Sequence, residues 1–193
     1  MSTTADLLVL LRLKGLARTG TVDDGAIAAL VADGRAEATR LGYRLTPAGR
    51  TEADLVWVGE RARADAGRLA EIYRRFEAIN APFKALVADW QLRAGSPNDH
   101  SDQAYDSAVL ARLDPLAAAL DAILVDLTAA VPRMSRYSPA FTAARAALAA
   151  GQTRWFSGPM VDSVHTLWFE LHEELIHLTG RTRAGEAAAG RAA

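Results

Sequence analysis

Residues 161–178 read VDSVHTLWFELHEELIHL, and this stretch decides how the rest of the chain is organised. At ~100° per residue, Val161, Val164, Trp168, Leu171, Leu175, Ile176 and Leu178 fall in one apolar arc ~200° wide, broader than a helix facing water on one side requires. The spacing predicts a helix from about Pro159 to Thr179, placed centrally in a helical bundle and ended by Gly180. His165 and His172 are seven residues apart and fall inside the arc, while His177 shares the opposite face with Glu170, Glu174 and Arg181. A buried imidazole needs partners for both ring nitrogens, so the two arc histidines must meet polar groups on other helices or something bound between them.

Working outward, residues 53–180 carry helical patterns almost throughout. Leu55, Val58, Ala62, Leu69, Ile72, Phe76, Ile79 and Phe83 recur at three- and four-residue steps and predict one long helix, which Pro82 is expected to kink or break. Phe83, Leu86, Val87 and Trp90 continue the pattern to a loop at Gly95-Ser96-Pro97-Asn98. Further helices are expected over 102–112, 115–130 and 139–150, the last two from Asp114-Pro115 and Ser138-Pro139, which have the form of a cap followed by proline. The tail, 181–193, is rich in alanine, glycine and arginine and is expected to fray. The stripe that begins at Leu55 is also a candidate seam for a homodimer.

The first 52 residues form a separate pattern. A short apolar helix around Leu7–Leu13 ends at Gly15, a second begins at Asp23 or Asp24 and stops at Gly34, and Ala36–Thr39 with Tyr43–Leu45 read as a two-stranded ribbon. Thr46-Pro47 then opens a helix with threonine as its cap. This order, with Tyr43-Arg44-Leu45-Thr46-Pro47-Ala48-Gly49-Arg50, resembles the wing of MarR-type winged-helix regulators. The resemblance implies a transcriptional regulator with DNA as its partner and Arg35, Arg40 and Arg44 as its DNA-contacting residues. The chain departs from that pattern between Ala17 and Val22, where there is room for a turn but not for the helix that precedes a recognition helix. The fold class expected is therefore mainly α, with a small degenerate winged-helix part ahead of an α-helical bundle.

Charge weakens the DNA reading. Residues 1–52 hold seven basic and six acidic side chains, and none of the basic ones lies between Arg18 and Arg35. A recognition helix that opens on Asp23 and Asp24 repels phosphate. The whole chain carries a formal charge of −1, which argues against a protein that coats nucleic acid. It contains no cysteine, which removes disulfides, thiolate metal ligands and a cysteine nucleophile together. The N-terminus has no basic region before its apolar run and no small-residue cleavage site, and nowhere do ~20 apolar residues follow one another, so a cytoplasmic protein without membrane association is expected.

Polar residues set within apolar segments mark the candidate site. Asn80, Lys84, Asp99, His100 and Tyr105 join Trp90, Trp168, His165 and His172 as a candidate ligand-binding set. Asp99 and His100 are available as an acid–base pair, and Arg133, Arg136 and Tyr137 either hold an anion or face water. No metal site is read: His172-Glu173-x-x-x-His177 is one residue too long for two histidines on one helix face, and seven residues put His165 and His172 ~10 Å apart along the axis. No cofactor is identified. The segments Phe76-x-x-x-Asn80-x-x-x-Lys84, Asp89-Trp90-Gln91, Pro97-Asn98-Asp99-His100, Tyr105-Asp106 and His165-x-x-Trp168-x-Glu170-x-His172 are similar to a helical region of actinobacterial MarR-like proteins. Comparable regions accompany phosphoenolpyruvate/pyruvate dikinase-type enzymes, whose chemistry does not carry over because this chain has no glycine-rich phosphate loop.

The readings left open are a ligand-responsive MarR-like regulator or a descendant that no longer binds DNA, a small-molecule enzyme using His165 and His172 as acid and base, and a dimeric adaptor without catalysis. Satisfied core histidines that fix helix register are the simplest explanation of the arc.

Overall fold

The computed structural model describes residues 3–182 and 184–185. It is mostly helical and forms two compact units, Met1–Arg63 and Ala64–Ala193. The tail expected to fray falls mainly outside the described residues.

In the first unit α1 (Thr4–Lys14) begins in a reciprocal cap: the Asp6 amide donates to Thr3 Oγ1 at 3.1 Å and the Thr3 amide to Asp6 Oδ2 at 2.7 Å. It ends where Gly15 turns to φ 71°. Asp23 caps α2 (Asp24–Ala32) by accepting from the Ala26 amide at 2.7 Å. Between them the described backbone contains no helix. Ala17 instead pairs with Tyr43 through two backbone hydrogen bonds of 2.8 and 2.9 Å, adding a single rung to the hairpin β1 (Ala36–Thr39) and β2 (Gly42–Leu45). The hairpin register sets Ala36 opposite Leu45.

Thr46 then starts α3 (Pro47–Arg63): its hydroxyl donates to the Gly34 carbonyl at 2.7 Å and accepts from the Gly49 amide at 3.2 Å. Gly49 is required for this closeness, since a Cβ there would lie 1.9 Å from the Arg35 carbonyl oxygen. Leu7, Leu8, Leu11, Ile27, Leu30, Leu45 and Ala53 close the core beneath these elements.

The second unit corrects the long-helix expectation. The chain breaks at 64–65 rather than at Pro82, because Asp65 caps a new helix by accepting from the Arg68 amide at 2.6 Å. That helix, α4 (Ala66–Gln91), runs unbroken through Pro82. Pro82 removes the partner of the Ala78 carbonyl, but 78, 81 and 82 all face solvent, where water can take the bond. After it, the expected loop is a tight hairpin of β3 (Leu92–Arg93) and β4 (Ser96–Pro97), turned by Ala94 at φ 49° and Gly95 at φ 81°.

Helices α5 (Gln103–Ala111), α6 (Leu113–Ala130) and α7 (Tyr137–Ala149) follow, the last two starting two residues earlier than their prolines suggested. A 3-10 turn, Pro132–Arg136, joins α6 to α7. The helix expected over 159–179 is shorter than its pattern. A turn of helix, α8 (Arg154–Ser157), and an irregular stretch precede α9 (Val164–Leu178), which Ser163 caps by accepting from the Thr166 amide at 3.2 Å. Helix α4 packs against α5, α6 and α9, while α9 also packs on α7 and α8, so α9 is enclosed on several sides. Among the described residues no helix is long and apolar enough to cross a membrane.

Candidate functional site

The contact between α4 and α9 is built on one polar chain inside an aromatic wall. Trp168, stacked on Phe83 with ring centroids 3.9 Å apart, donates its indole N–H to Asn80 Oδ1 at 3.0 Å. Asn80, itself buried, donates from Nδ2 to Glu77 Oε1 at 3.2 Å, and His172 Nε2 approaches that same oxygen at 3.3 Å. Phe76 lies against both Trp168 and His172, each at 5.3 Å between ring centroids. Both ends of the buried Asn80 amide are thus hydrogen-bonded, by Trp168 on α9 and Glu77 on α4, whereas His172 Nε2 approaches Glu77 without completing a hydrogen bond.

Beside this chain lies a cavity of about 230 Å³, whose lining includes the apolar Phe83, Val87, Trp168 and Phe169 and the polar Asn80, Lys84, Gln91, His165 and His172. Five members of the candidate set, Asn80, Lys84, His165, Trp168 and His172, therefore meet in one place. His165 is half-buried rather than fully enclosed. Desolvation holds it below its ordinary pKa of 6.5, so it is neutral near pH 7. A depressed value means that the unfolded chain takes up this proton first, and the stability His165 confers is present above pH 6.5 and lost as pH falls through the folded value. We expect the melting temperature to drop between pH 7 and pH 5, and His165→Gln to flatten that slope in scanning fluorimetry; an unchanged slope would show that the imidazole is not desolvated.

The other four members form a second cluster around the hairpin and α5. His100, at φ 57°, lies against the Trp90 ring at 4.3 Å. The acid–base pairing expected with Asp99 is not made: His100 Nδ1 meets Asp106 Oδ2 at 2.9 Å, and Asn98 Nδ2 donates to Asp106 Oδ1 at 2.9 Å. Asp99 accepts from the Ser101 amide at 3.0 Å, and hydrogen bonds from Ser101 hold its carboxyl below the usual range. Tyr105 donates its hydroxyl to the Asp89 carbonyl at 2.9 Å under the Arg93 guanidinium. Neighbours in sequence are separated here because the left-handed turn at His100 swings the ring back toward α5.

Two residues were assigned to the wrong face. Glu170 and Glu174, expected opposite the apolar arc, are buried, Glu174 completely. Arg133 holds Glu174 through both its terminal nitrogens, Arg136 Nη2 donates to Glu174 Oε1 at 2.8 Å, and the Tyr137 hydroxyl donates to the same oxygen at 3.1 Å. Burial and the adjacent carboxylate push the Tyr137 hydroxyl well above its ordinary pKa, which keeps it a donor. The anion that this arginine-rich turn holds is thus one of the chain's own carboxylates. The clue lay in pairing Arg133, Arg136 and Tyr137 with two glutamates one turn apart on a helix too apolar to have a wet face.

In the first unit, the arginines assigned to DNA are largely engaged. Arg35 bridges Asp33 at 2.5 Å and Glu52 at 2.8 Å, and Arg44 bridges Glu37 at 2.6 Å. Arg40 is exposed at the hairpin tip beside Leu41. The exposed positions of α2 carry Asp24, Gly25, Ala28, Ala29, Val31 and Ala32.

Comparisons of the chain with protein-family models, with characterised proteins and with solved structures found no match.

Proposed function

We propose that this protein is a small-molecule receptor of the MarR-like kind whose second unit captures a compact organic carboxylate in the cavity between α4 and α9, and whose first unit no longer reads DNA. The observation that carries the ligand reading is the cavity itself, whose lining brings Lys84, Gln91 and a neutral His165 together with the rings of Phe83, Trp168 and Phe169. An ammonium beside a neutral donor and an amide suits a carboxylate, and the Phe83–Trp168 stack suits a flat apolar body. At about 230 Å³ the space falls below the ~300–1,000 Å³ of pockets for drug-sized ligands, so the occupant is a single ring or a short branched chain. In this reading the Glu77–Asn80–Trp168 chain stiffens the floor of the site and His165 serves as a hydrogen-bonding partner rather than a proton carrier.

The first unit supports the descendant without DNA binding. Its second helix offers acidic and small apolar groups outward, and two of the three candidate arginines already face carboxylates. Phosphate contact would have to displace those pairs.

Thermal shift and calorimetry with a panel of single-ring and branched aliphatic carboxylic acids, each beside its neutral amide, test the ligand reading. Ligand at ~100 times its Kd stabilises by ~2.7 kcal/mol, which is readily visible. Acids are expected to raise the melting temperature, amides to fail, and Lys84→Met to abolish the difference. A flat response across the panel, or an unaltered response in Lys84→Met, overturns it. For the first unit, no retardation of duplex DNA is expected even at ~50 mM salt. Retardation that Arg40→Ala and Arg44→Ala abolish would restore the DNA reading.

A further inference from the structure

Helix α3 has two apolar sides, and only one of them is used. Gly49, Ala53 and Trp57 are buried in the first unit. At ~100° per residue, Thr51, Leu55, Val58 and Ala62 share an arc ~60° wide centred opposite those three. Leu55 is 60% exposed and Val58 46% exposed, both high for large aliphatic side chains. With Ala48, also exposed, the spacing is 48, 51, 55, 58, 62, an alternation of three and four that matches the a and d positions of a two-stranded coiled coil over two heptads. The one polar member, Thr51, has its hydroxyl donated to the Pro47 carbonyl at 3.2 Å, which leaves its methyl to pack.

The flanking positions say what covers this stripe. On one side stand Asp54 and Arg61, and on the other Glu52 and Gly59. If two copies of α3 pair antiparallel, with Leu55 of one against Val58 of the other and Thr51 against Ala62, Asp54 of each copy falls beside Arg61 of its partner copy, giving two symmetric opposite-charge contacts. Glu52 then lies beside Gly59 and meets no like charge. A parallel pair places Asp54 beside Gly59 instead and gains neither contact. Antiparallel helices also set opposed macrodipole ends together.

We propose that α3 is a self-association surface, on which two copies of this chain pair antiparallel about Leu55 and Val58 with Asp54 opposite Arg61 of the partner copy. The contact belongs to the first unit and does not depend on what the cavity of the second unit binds. A short two-heptad seam lies at the small end of specific interfaces, so the association is weak, with a Kd on the order of 10 µM.

Sedimentation equilibrium of the full chain reads it. The wild type is expected to pass from monomer to dimer as concentration rises through that range. Leu55→Glu with Val58→Glu should remain monomeric while keeping its helical circular dichroism, since both positions are exposed. Asp54→Arg alone sets arginine against arginine, and Arg61→Asp alone sets aspartate against aspartate, so each is expected to be monomeric. Mixed together, these two variants restore every opposite-charge contact across an antiparallel pair and should associate at least ten times more tightly than either does alone. Asp54 also accepts from Arg12 Nε at 3.0 Å within its own copy; each Asp54→Arg copy lacks that pair before and after mixing and each Arg61→Asp copy keeps it, so mixing does not change it. A wild type that stays monomeric to ~200 µM, a double glutamate variant that still dimerises, or a mixture no tighter than its components each overturns the proposal.

Discussion

Replacing Glu174 with alanine is expected to cost about 3–5 kcal/mol of unfolding free energy, a large part of the ~5–15 kcal/mol that holds a typical domain together. The carboxylate is fully buried, and it is the shared acceptor for Arg133, Arg136 and Tyr137. Its removal takes from Arg133, whose side chain is 6% exposed, the carboxylate that both of its terminal nitrogens hold. The loss is a desolvation penalty rather than the worth of a bond, so it should be largely reversed when both sides go together. Glu174→Leu with Arg133→Met is expected to be less damaging than Glu174→Leu alone, because the most deeply buried cation leaves with its carboxylate while Arg136, 26% exposed, keeps access to water. Urea unfolding followed by tryptophan fluorescence distinguishes these outcomes. A single-variant loss under ~1 kcal/mol would mean that water reaches the cluster.

Trp168→Ala is expected to be comparably severe, at about 3–5 kcal/mol, because a large ring leaves a space its neighbours cannot fill. Trp168 is 3% exposed, stacks on Phe83 and meets Phe141 edge-on at 6.5 Å. Trp168→Phe separates packing from hydrogen bonding: most of the volume remains, but Asn80 Oδ1 loses the indole donor at 3.0 Å. That variant should lose about 1–3 kcal/mol, the cost of stranding one buried acceptor. Equal losses for phenylalanine and alanine would mean that the Asn80 bond, and not the ring, dominates. Both variants also open the cavity wall, so carboxylate binding should weaken in each.

The residues that made α9 legible are those whose periodicity is purely apolar. Val164, Trp168, Leu171 and Leu175 could be placed from spacing alone, and Trp168 and His172 came with them to the α4 face. The same method misplaced Glu170 and Glu174, because periodicity assumes that a charged residue seeks water, and a carboxylate matched by two arginines need not. Local chemistry served well where a single residue decides the backbone. Gly15, Asp23 and Thr46 end or begin their helices as read, since each acts on groups within four positions of itself.

It served poorly at Pro82. The cost of a missing amide depends on whether solvent can serve the orphaned carbonyl, and that is a property of the surface around it. Asp65 was overlooked for a related reason: the apolar stripes of α3 and α4 happen to run in phase across the break, so the pattern continues where the helix does not. The Asp99–His100 pairing failed because adjacency along the chain says nothing about side chains once the backbone enters a left-handed turn.

The grip of Arg133 and Arg136 on Glu174 also governs how the molecule can be cut. Anyone shortening the chain from its C-terminal side would cross from tolerated to ruinous within a few positions. A boundary after Leu178 leaves Glu174 seated, whereas one placed before residue 174 removes the carboxylate that two guanidinium groups on a distant turn share, and is expected to yield material that fails during expression rather than a smaller working fragment. Affinity tags and fusions belong beyond that point.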